Sequence, residues 1–135
     1  MTRSTKALYD ACKHISSQAR PYVYGGGHGV LLTSILPVDG LDCSSSCSLA
    51  LSRAGFLHDV RRAWVSWQFD SWGQAGRGQH FTLWYSSKHV WIEFHGQGQY
   101  QRFDTSPWGW GRRGPRVRKT KRPHYGFKAR HWPGC

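Results

Sequence analysis

Two residue types in this sequence could together perform nucleophilic catalysis, namely a cysteine thiol and a histidine imidazole. Cys43 follows Asp42 at the start of a segment with helical spacing, and His89 opens a segment of alternating apolar and polar residues. A cysteine attacks as its thiolate, which the positive end of a helix and a nearby imidazolium both stabilise. The two residues therefore predict cysteine nucleophilic catalysis, with Cys43 as nucleophile and His89 as general base.

The other cysteines give no comparable pattern. Cys47 lies one helical turn beyond Cys43 and is expected to be a buried, inert thiol, which is also the alternative interpretation of Cys43 itself. With Cys12 and Cys135 the chain has four cysteines, and the three pairings that they allow cannot be separated from the sequence. Because neither a CxxC pair nor an HExxH motif occurs, no metal site and no cofactor are expected.

Two helices are predicted to position the nucleophile. Residues 4–17 place apolar side chains at helical spacing, with Ser4 as a plausible N-cap. Residues 42–54 form the second helix, which ends at Gly55 and carries Cys43 in its first turn. A loop rich in glycine, residues 25–29, separates the two helices.

Strands are predicted to position the histidine. Residues 80–85, 89–94 and 100–105 alternate with period two, as antiparallel strands joined by short turns do. This alternation turns Val90, Ile92 and Phe94 toward the core and His89 toward the other face of the sheet. The segment 60–73, which is rich in tryptophan, has no clear periodicity and is interpreted as core rather than as a ligand platform.

Helices followed by strands predict an α+β domain in which the nucleophile helix packs on a small antiparallel β-sheet. A length of 135 residues fits a single domain, residues 1–135, with a core over about residues 20–106. The tail, residues 107–135, combines basic and aromatic residues with Gly and Pro, and is predicted to be a coil that packs its aromatic side chains onto the body.

The charge of the chain points to anionic partners. Nineteen Lys and Arg stand against seven Asp and Glu, a formal net charge of +12, and residues 112–122 contain seven basic residues and no acidic one. Such a balance favours nucleic acid, anionic membranes or wall polymers, although the run could also be an ordinary solvated surface. Residues 1–19 lack an apolar stretch, so no signal peptide of its own is expected. No apolar run in the sequence approaches the roughly 20 residues that span a bilayer, so no transmembrane segment is expected.

Three sequence landmarks occur in the order found in a known family. The runs PYVYGG at 21–26, LDCS at 41–44 and HV at 89–90 resemble the NlpC/P60 papain-like cell-wall cysteine peptidases. The resemblance covers about residues 22–104. The ending GFKARHWPG at 126–134 is similar to the tails of such domains in actinobacterial phage lysins and tail proteins.

The resemblance implies a role for each landmark. It makes Cys43 the nucleophile, His89 the base, and Tyr22 a helper near the oxyanion beside the backbone N–H of Cys43. The third member, which orients the imidazole, is usually His, Asn or Gln on the next strand of the family. Strand parity instead selects Asp104 here, since Gln101 reaches the face of His89 only if a bulge shifts the register.

The implied activity is hydrolysis of an amide bond in the stem peptide of peptidoglycan, commonly the γ-D-glutamyl bond to a diamino acid. The protein would act in the virion or after release to the bacterial wall, as a phage lysin or a tail-associated hydrolase. Its basic tail would contact anionic wall polymers. Two alternatives remain: an N-acetylmuramoyl amidase or acyltransferase with the same Cys and His, and a non-enzymatic, basic virion protein that binds nucleic acid.

Overall fold

The computed structural model describes residues 4–96, 98–106 and 113–135. Some predictions lie partly outside these residues. They concern the first three residues of the chain, Gln97 in the predicted hairpin turn, the first part of the tail at 107–112, and Arg112 at the start of the basic run.

The two predicted helices are confirmed as α1 (Thr5–Ser17) and α2 (Cys43–Arg53). Ser4 is the N-cap of α1, because its Oγ accepts a hydrogen bond of 3.0 Å from the backbone N of Ala7. A one-turn 3-10 helix, Leu32–Ser34, lies between them. A second 3-10 helix, Ser66–Ser71, occupies the tryptophan-rich segment.

One antiparallel sheet contains the strands of the described residues. They are β1 (Gln74–Ala75), β2 (Phe81–Tyr85), β3 (Val90–Phe94), β4 (Gln101–Asp104), β5 (Arg116–Arg118) and β6 (Lys128–His131). In space their order is β1-β6-β2-β3-β4-β5. The three predicted strands correspond to β2, β3 and β4, and the α+β class is confirmed.

The prediction of a coil after residue 107 is wrong at residues 116–118 and 128–131, which form strands. β5 pairs with β4, and β6 lies between β1 and β2 in the sheet. Both strands are short and largely polar, and Arg130 of β6 also binds the carbonyl of Trp72 at 2.7 Å. Backbone pairing rather than apolar alternation defines these strands, so the periodicity of the sequence did not reveal them.

The helices and the inner face of the sheet enclose the core. It includes Leu8 and Ile15 of α1, and Val117 and Trp132 of the tail pack against it, so it extends beyond residues 20–106 on both sides. The predicted inward residues of β3 are buried in it. In the described part of the chain, no helix has both the length and the apolar character needed to span a membrane.

Candidate active site

Cys43 is the first residue of α2, and a reciprocal cap fixes this end of the helix. Asp42 Oδ1 accepts from the backbone N of Ser45 at 2.9 Å, while Ser45 Oγ accepts from the backbone N of Asp42 at 3.0 Å. The thiol therefore lies at the positive end of a well-ordered helix.

The glycine loop packs directly on this helix start. Gly27 has φ +81°, and a Cβ on it would come within 2.8 Å of the Ser45 Cβ and 2.7 Å of the Leu41 side chain, so only glycine fits. Tyr22 forms a β-bridge with Leu41. Burial raises the pKa of the Tyr22 phenol, and the nearby charge of Cys43 raises it further. The predicted helper residue thus lies beside the thiol.

His28, in the same loop, makes contacts that the sequence did not predict. Its Nε2 lies 3.0 Å from Asp42 Oδ1 and 3.1 Å from Ser44 Oγ. The hydrogen bond to Asp42 raises the pKa of His28, and the same contact lowers the pKa of Asp42 although burial opposes it. The imidazole therefore holds the glycine loop against Asp42, the residue before Cys43.

His89 precedes β3 and binds the carboxylate predicted for it. Its Nε2 donates to Asp104 Oδ1 at 2.6 Å. The register pairs Ile92 with Phe103, which places Asp104 on the face of His89. Gln101 lies on the opposite face, where its Oε1 accepts from the hydroxyl of Tyr9 at 2.7 Å. The predicted strand parity is confirmed, and the alternative residue is not brought to the imidazole.

The thiol and the imidazole stabilise each other's charged forms. Burial alone would raise the pKa of Cys43, but its hydrogen bond to His89 and the charge of that imidazole outweigh burial and lower the pKa below its usual value. For His89 burial acts in the lowering direction, and the contacts with Asp104 and Cys43 overcome it to raise the pKa to about 9. Both shifts favour the thiolate–imidazolium pair over the neutral thiol and imidazole.

Asp104 is held more firmly than the sequence indicated. Its carboxylate is fully buried, and Oδ2 accepts from Arg102 and, at 2.8 Å, from Arg122. Arg118 donates to the Asp104 backbone carbonyl at 3.0 Å. Two guanidinium groups keep the carboxylate in place while its other oxygen orients His89.

Two further contacts at the site were not predicted. Ser66 Oγ lies 3.7 Å from Cys43 Sγ, and the ring of Phe127 packs edge-on against His89 with centroids 6.1 Å apart. Ser66 lies in the ambiguous segment and Phe127 in the tail, so neither had a periodic signal. Cys47 is buried, and burial raises the pKa of its thiol well above the usual value, as an inert thiol requires.

The basic run divides into structural and exposed members. Arg122 binds Asp104, Arg116 donates to the carbonyl of Arg20 at 3.1 Å, and Arg118 binds backbone carbonyls. Its exposed members within the described residues are Arg113, Lys119 and Lys121. A test of polyanion binding must therefore change the exposed residues alone.

The assembled residues have the components of acyl transfer: a thiol at a helix start, an imidazole that contacts it, and a buried carboxylate behind the imidazole. All four cysteines are free thiols. Comparisons with protein-family models, with curated proteins and with solved structures found no match for this chain. The function is therefore argued from these side chains and from the sequence landmarks.

Proposed function

We propose that this protein is a papain-like cysteine peptidase of the NlpC/P60 type that hydrolyses an amide bond in the stem peptide of peptidoglycan. The observation that carries the proposal is the ordered series Cys43, His89 and Asp104, with the thiol at a capped helix start. The three sequence landmarks support the same assignment. The favoured bond is that between γ-D-glutamate and a diamino acid.

The reaction has two acyl-transfer steps. The thiolate of Cys43 attacks the carbonyl carbon, and the C–N bond breaks as the His89 imidazolium gives its proton to the leaving amine. This leaves a thioester and a neutral imidazole. His89 then takes a proton from water, which attacks the thioester and releases the acid and the thiolate. The Cys43 N–H and the Tyr22 hydroxyl are the proposed donors to the oxyanion.

The exposed cations suggest where the enzyme acts. Arg113, Lys119 and Lys121 present positive charge that anionic wall polymers would attract. Together with the landmarks of phage domains, this supports a lysin or a virion tail-associated wall hydrolase. In either role the protein would meet its substrate at the bacterial cell wall.

Digestion of purified peptidoglycan tests the proposal. The wild-type protein and Cys43→Ala are incubated with walls, and the soluble products are identified by mass spectrometry. We expect a new amino group on the diamino acid and a new free carboxyl on D-glutamate, with the wild type only. An amidase would instead free the amino terminus of the stem from the sugar. Absence of cleavage together with salt-sensitive binding to DNA would favour the nucleic-acid-binding alternative.

A further inference from the structure

The segment that carries the glycine loop is held at its two ends by different kinds of contact. Its start at Tyr22 pairs through the backbone with the residue before Asp42. At its end, Nε2 of His28 lies 3.0 Å from Asp42 Oδ1 and 3.1 Å from Ser44 Oγ. Asp42 and Ser44 are the two neighbours of Cys43 in the sequence. The imidazole therefore contacts the residues on both sides of the candidate nucleophile.

The middle of this segment has no side chains with which to hold its conformation. Three consecutive glycines, residues 25–27, lead up to His28, and glycine loses more conformational freedom on folding than any other residue. The backbone N of Gly25 donates to Asp42 Oδ2 at 3.2 Å, and His28 supplies the side chain that returns to α2. The path of the segment, and with it the position of Tyr22, therefore depends on this histidine.

The ring of His28 also reaches a third segment. The hydrogen bond to Asp42 raises the pKa of His28 most, burial lowers it, and a hydrogen bond to the backbone carbonyl of Ala63 raises it further. Ala63 precedes Ser66 by three residues, and Ser66 Oγ lies 3.7 Å from Cys43 Sγ. One imidazole thus joins the glycine loop, the start of α2 and the segment before Ser66 around the thiol.

We propose that His28 is a positioning residue, which holds the Tyr22 hydroxyl and the Cys43 N–H in the arrangement that binds the oxyanion. The inference rests on the proposed function, because it concerns the oxyanion step of the same reaction. His28 acts through Asp42 and the glycine loop rather than on the substrate. Donors to an oxyanion are effective only when they are held in place, and a displacement of about 1 Å can cost about 100-fold in rate.

Two small reagents separate this positioning from the reactivity of the thiol. With p-nitrophenyl acetate, the Cys43 thiolate attacks the ester carbonyl, an oxyanion forms, and the C–O bond breaks to leave a thioester and p-nitrophenolate. With iodoacetamide, the thiolate displaces iodide and no oxyanion forms. In His28→Ala, we expect acylation to slow by about 10- to 100-fold and alkylation to keep nearly its wild-type rate. Cys43→Ala corrects both rates for the other thiols.

Equal slowing of the two reactions, or no slowing of acylation, would overturn the inference. His28→Gln provides a conservative rescue, because its amide keeps an N–H that can reach Asp42. It should recover most of the acylation rate, and a rate as low as that of His28→Ala would exclude the contact with Asp42 as the cause. If His28→Ala does not fold, His28→Leu, which fills more of the space of the ring, takes its place. If neither folds, the histidine is structural and the inference fails.

A double-mutant cycle shows whether His28 acts through the predicted helper. Tyr22→Phe removes the hydroxyl that His28 is proposed to position. In that background, His28→Ala should slow acylation much less than it does in the wild type, because one of the two donors is already absent. Fully additive losses would contradict positioning through Tyr22.

His124→Ala is the matched control, because it removes an imidazole from another buried carboxylate, Glu93, at 2.8 Å. It should leave the rates of acylation and alkylation nearly unchanged. A selective loss of acylation as large as that in His28→Ala would show that the effect is not specific to the residues around the thiol, and the inference would fail.

Neither reagent resembles a stem peptide, so the outcome is independent of the proposed substrate. If the wild type cleaves no stem peptide, but is acylated by p-nitrophenyl acetate and loses this reaction selectively in His28→Ala, the role of His28 is correct and the proposed substrate is wrong. If the wild type and a folded His28→Ala cleave a stem peptide at equal rates, the proposed function stands and the inference fails. Absence of acylation in the wild type would also overturn the inference.

Discussion

Two histidine–carboxylate pairs lie on the outer face of the same sheet, and only one of them adjoins a thiol. His89 binds Asp104 at 2.6 Å, and His124 binds Glu93 at 2.8 Å. Both carboxylates are almost completely buried, with 0% and 4% of their side chains exposed. Both pairs therefore contain an imidazole that binds a buried carboxylate. They differ because the start of α2, with the thiol of Cys43, lies beside His89.

The second pair is suited to holding the tail rather than to chemistry. His124 stacks on Trp84 with ring centroids 3.9 Å apart, which joins the segment between β5 and β6 to the sheet. Burial would raise the pKa of Glu93, but its hydrogen bond with His124 contributes to lowering it. A buried carboxylate that orients a histidine therefore does not by itself indicate a catalytic site; a nucleophile in reach is also required.

Removal of the thiol should have the largest effect. Cys43→Ala is expected to lower kcat/KM by about 10⁴-fold or more, because the acyl intermediate cannot form. Cys47→Ala, one turn further along α2, removes a thiol of the same size whose sulfur lies 3.7 Å from the carbonyl of Val90, and should keep most activity. Turnover of a stem peptide by both variants, with circular dichroism as a check on folding, makes the comparison. Equal losses in two folded variants would exclude Cys43 as the specific nucleophile.

Exchange of each carboxylate for its amide compares the two pairs directly. Asp104→Asn should reduce kcat by about 10²- to 10⁴-fold, because the imidazole loses the charge that orients it and stabilises its protonated form. Glu93→Gln makes the same change in the second pair and should leave kcat nearly unchanged. Steady-state kinetics of both variants show whether only the first pair supports catalysis. A large loss of kcat in Glu93→Gln would show that the two pairs have equivalent roles.

Asp104→Asn should also destabilise the fold. The carboxylate accepts hydrogen bonds from Arg102 and Arg122 as well as from His89, and the amide leaves the guanidinium of Arg102 buried without its anion. Breaking a buried ion pair of this kind costs about 3 kcal/mol in the free energy of unfolding. The fall in kcat is therefore measured well below the melting temperature of the variant.

Local patterns predicted the elements that carry the first pair. Caps and periodicity located both helices, and alternation along β3 and β4 placed Asp104 on the face of His89. The residues that support the pair are distant in sequence from the residues that they contact: Arg122 is 18 residues from Asp104, and Ser66 is 23 residues from Cys43. Such contacts depend on the tertiary fold, and no local pattern encodes them.

The second pair was missed for a related reason. The segment between β5 and β6, residues 119–127, has three Lys and Arg residues and no acidic residue, which is typical of a solvated tail. Its binding to the sheet depends on His124 stacking over Trp84 and on Arg122 reaching Asp104. These are contacts between single side chains, which have no period that a sequence analysis could detect.

The pH dependence should distinguish the pairs by their effect on the reaction. The pKa of His89 is raised to about 9, so kcat/KM should decline as the pH rises through that value and the imidazolium is lost. Asp104→Asn removes a contact that raises this pKa, and its alkaline limb should move down toward 6.5, the ordinary histidine value. Glu93→Gln should leave the limb in place. A limb that stays near pH 9 in Asp104→Asn would contradict the assigned contact.

Stability should follow the same titration. A histidine whose pKa is higher in the folded state stabilises the fold fully below its unfolded value of 6.5, and this contribution is lost as the pH rises through about 9. The melting temperature of the wild type should therefore decrease over that interval, and the decrease should be smaller in Asp104→Asn. Thermal melts of the two proteins across the interval measure the difference.

The smallest effect is expected where the second pair is broken. His124→Ala leaves Glu93 buried with its other neighbours. The substitution should lower the stability of the fold and hardly change kcat/KM. A double-mutant cycle of His124→Ala with Glu93→Gln should give a coupling of about 1 kcal/mol, because His124 is still 35% exposed and solvent screens the pair.

The shifted pKa of Glu93 also fixes how the stability that this pair contributes changes with pH. The pKa of Glu93 is lowered in the folded protein, so the contribution of this carboxylate is present above its unfolded pKa and is lost as the pH falls through the folded one. His58→Ala, which changes an exposed histidine, serves as the control and should alter neither stability nor rate. Zero coupling would mean that stacking on Trp84, rather than the charge of Glu93, holds the tail. A strong loss of kcat/KM in His124→Ala would instead show that the second pair supports the first, since Arg122 and Phe127 of the same segment contact Asp104 and His89.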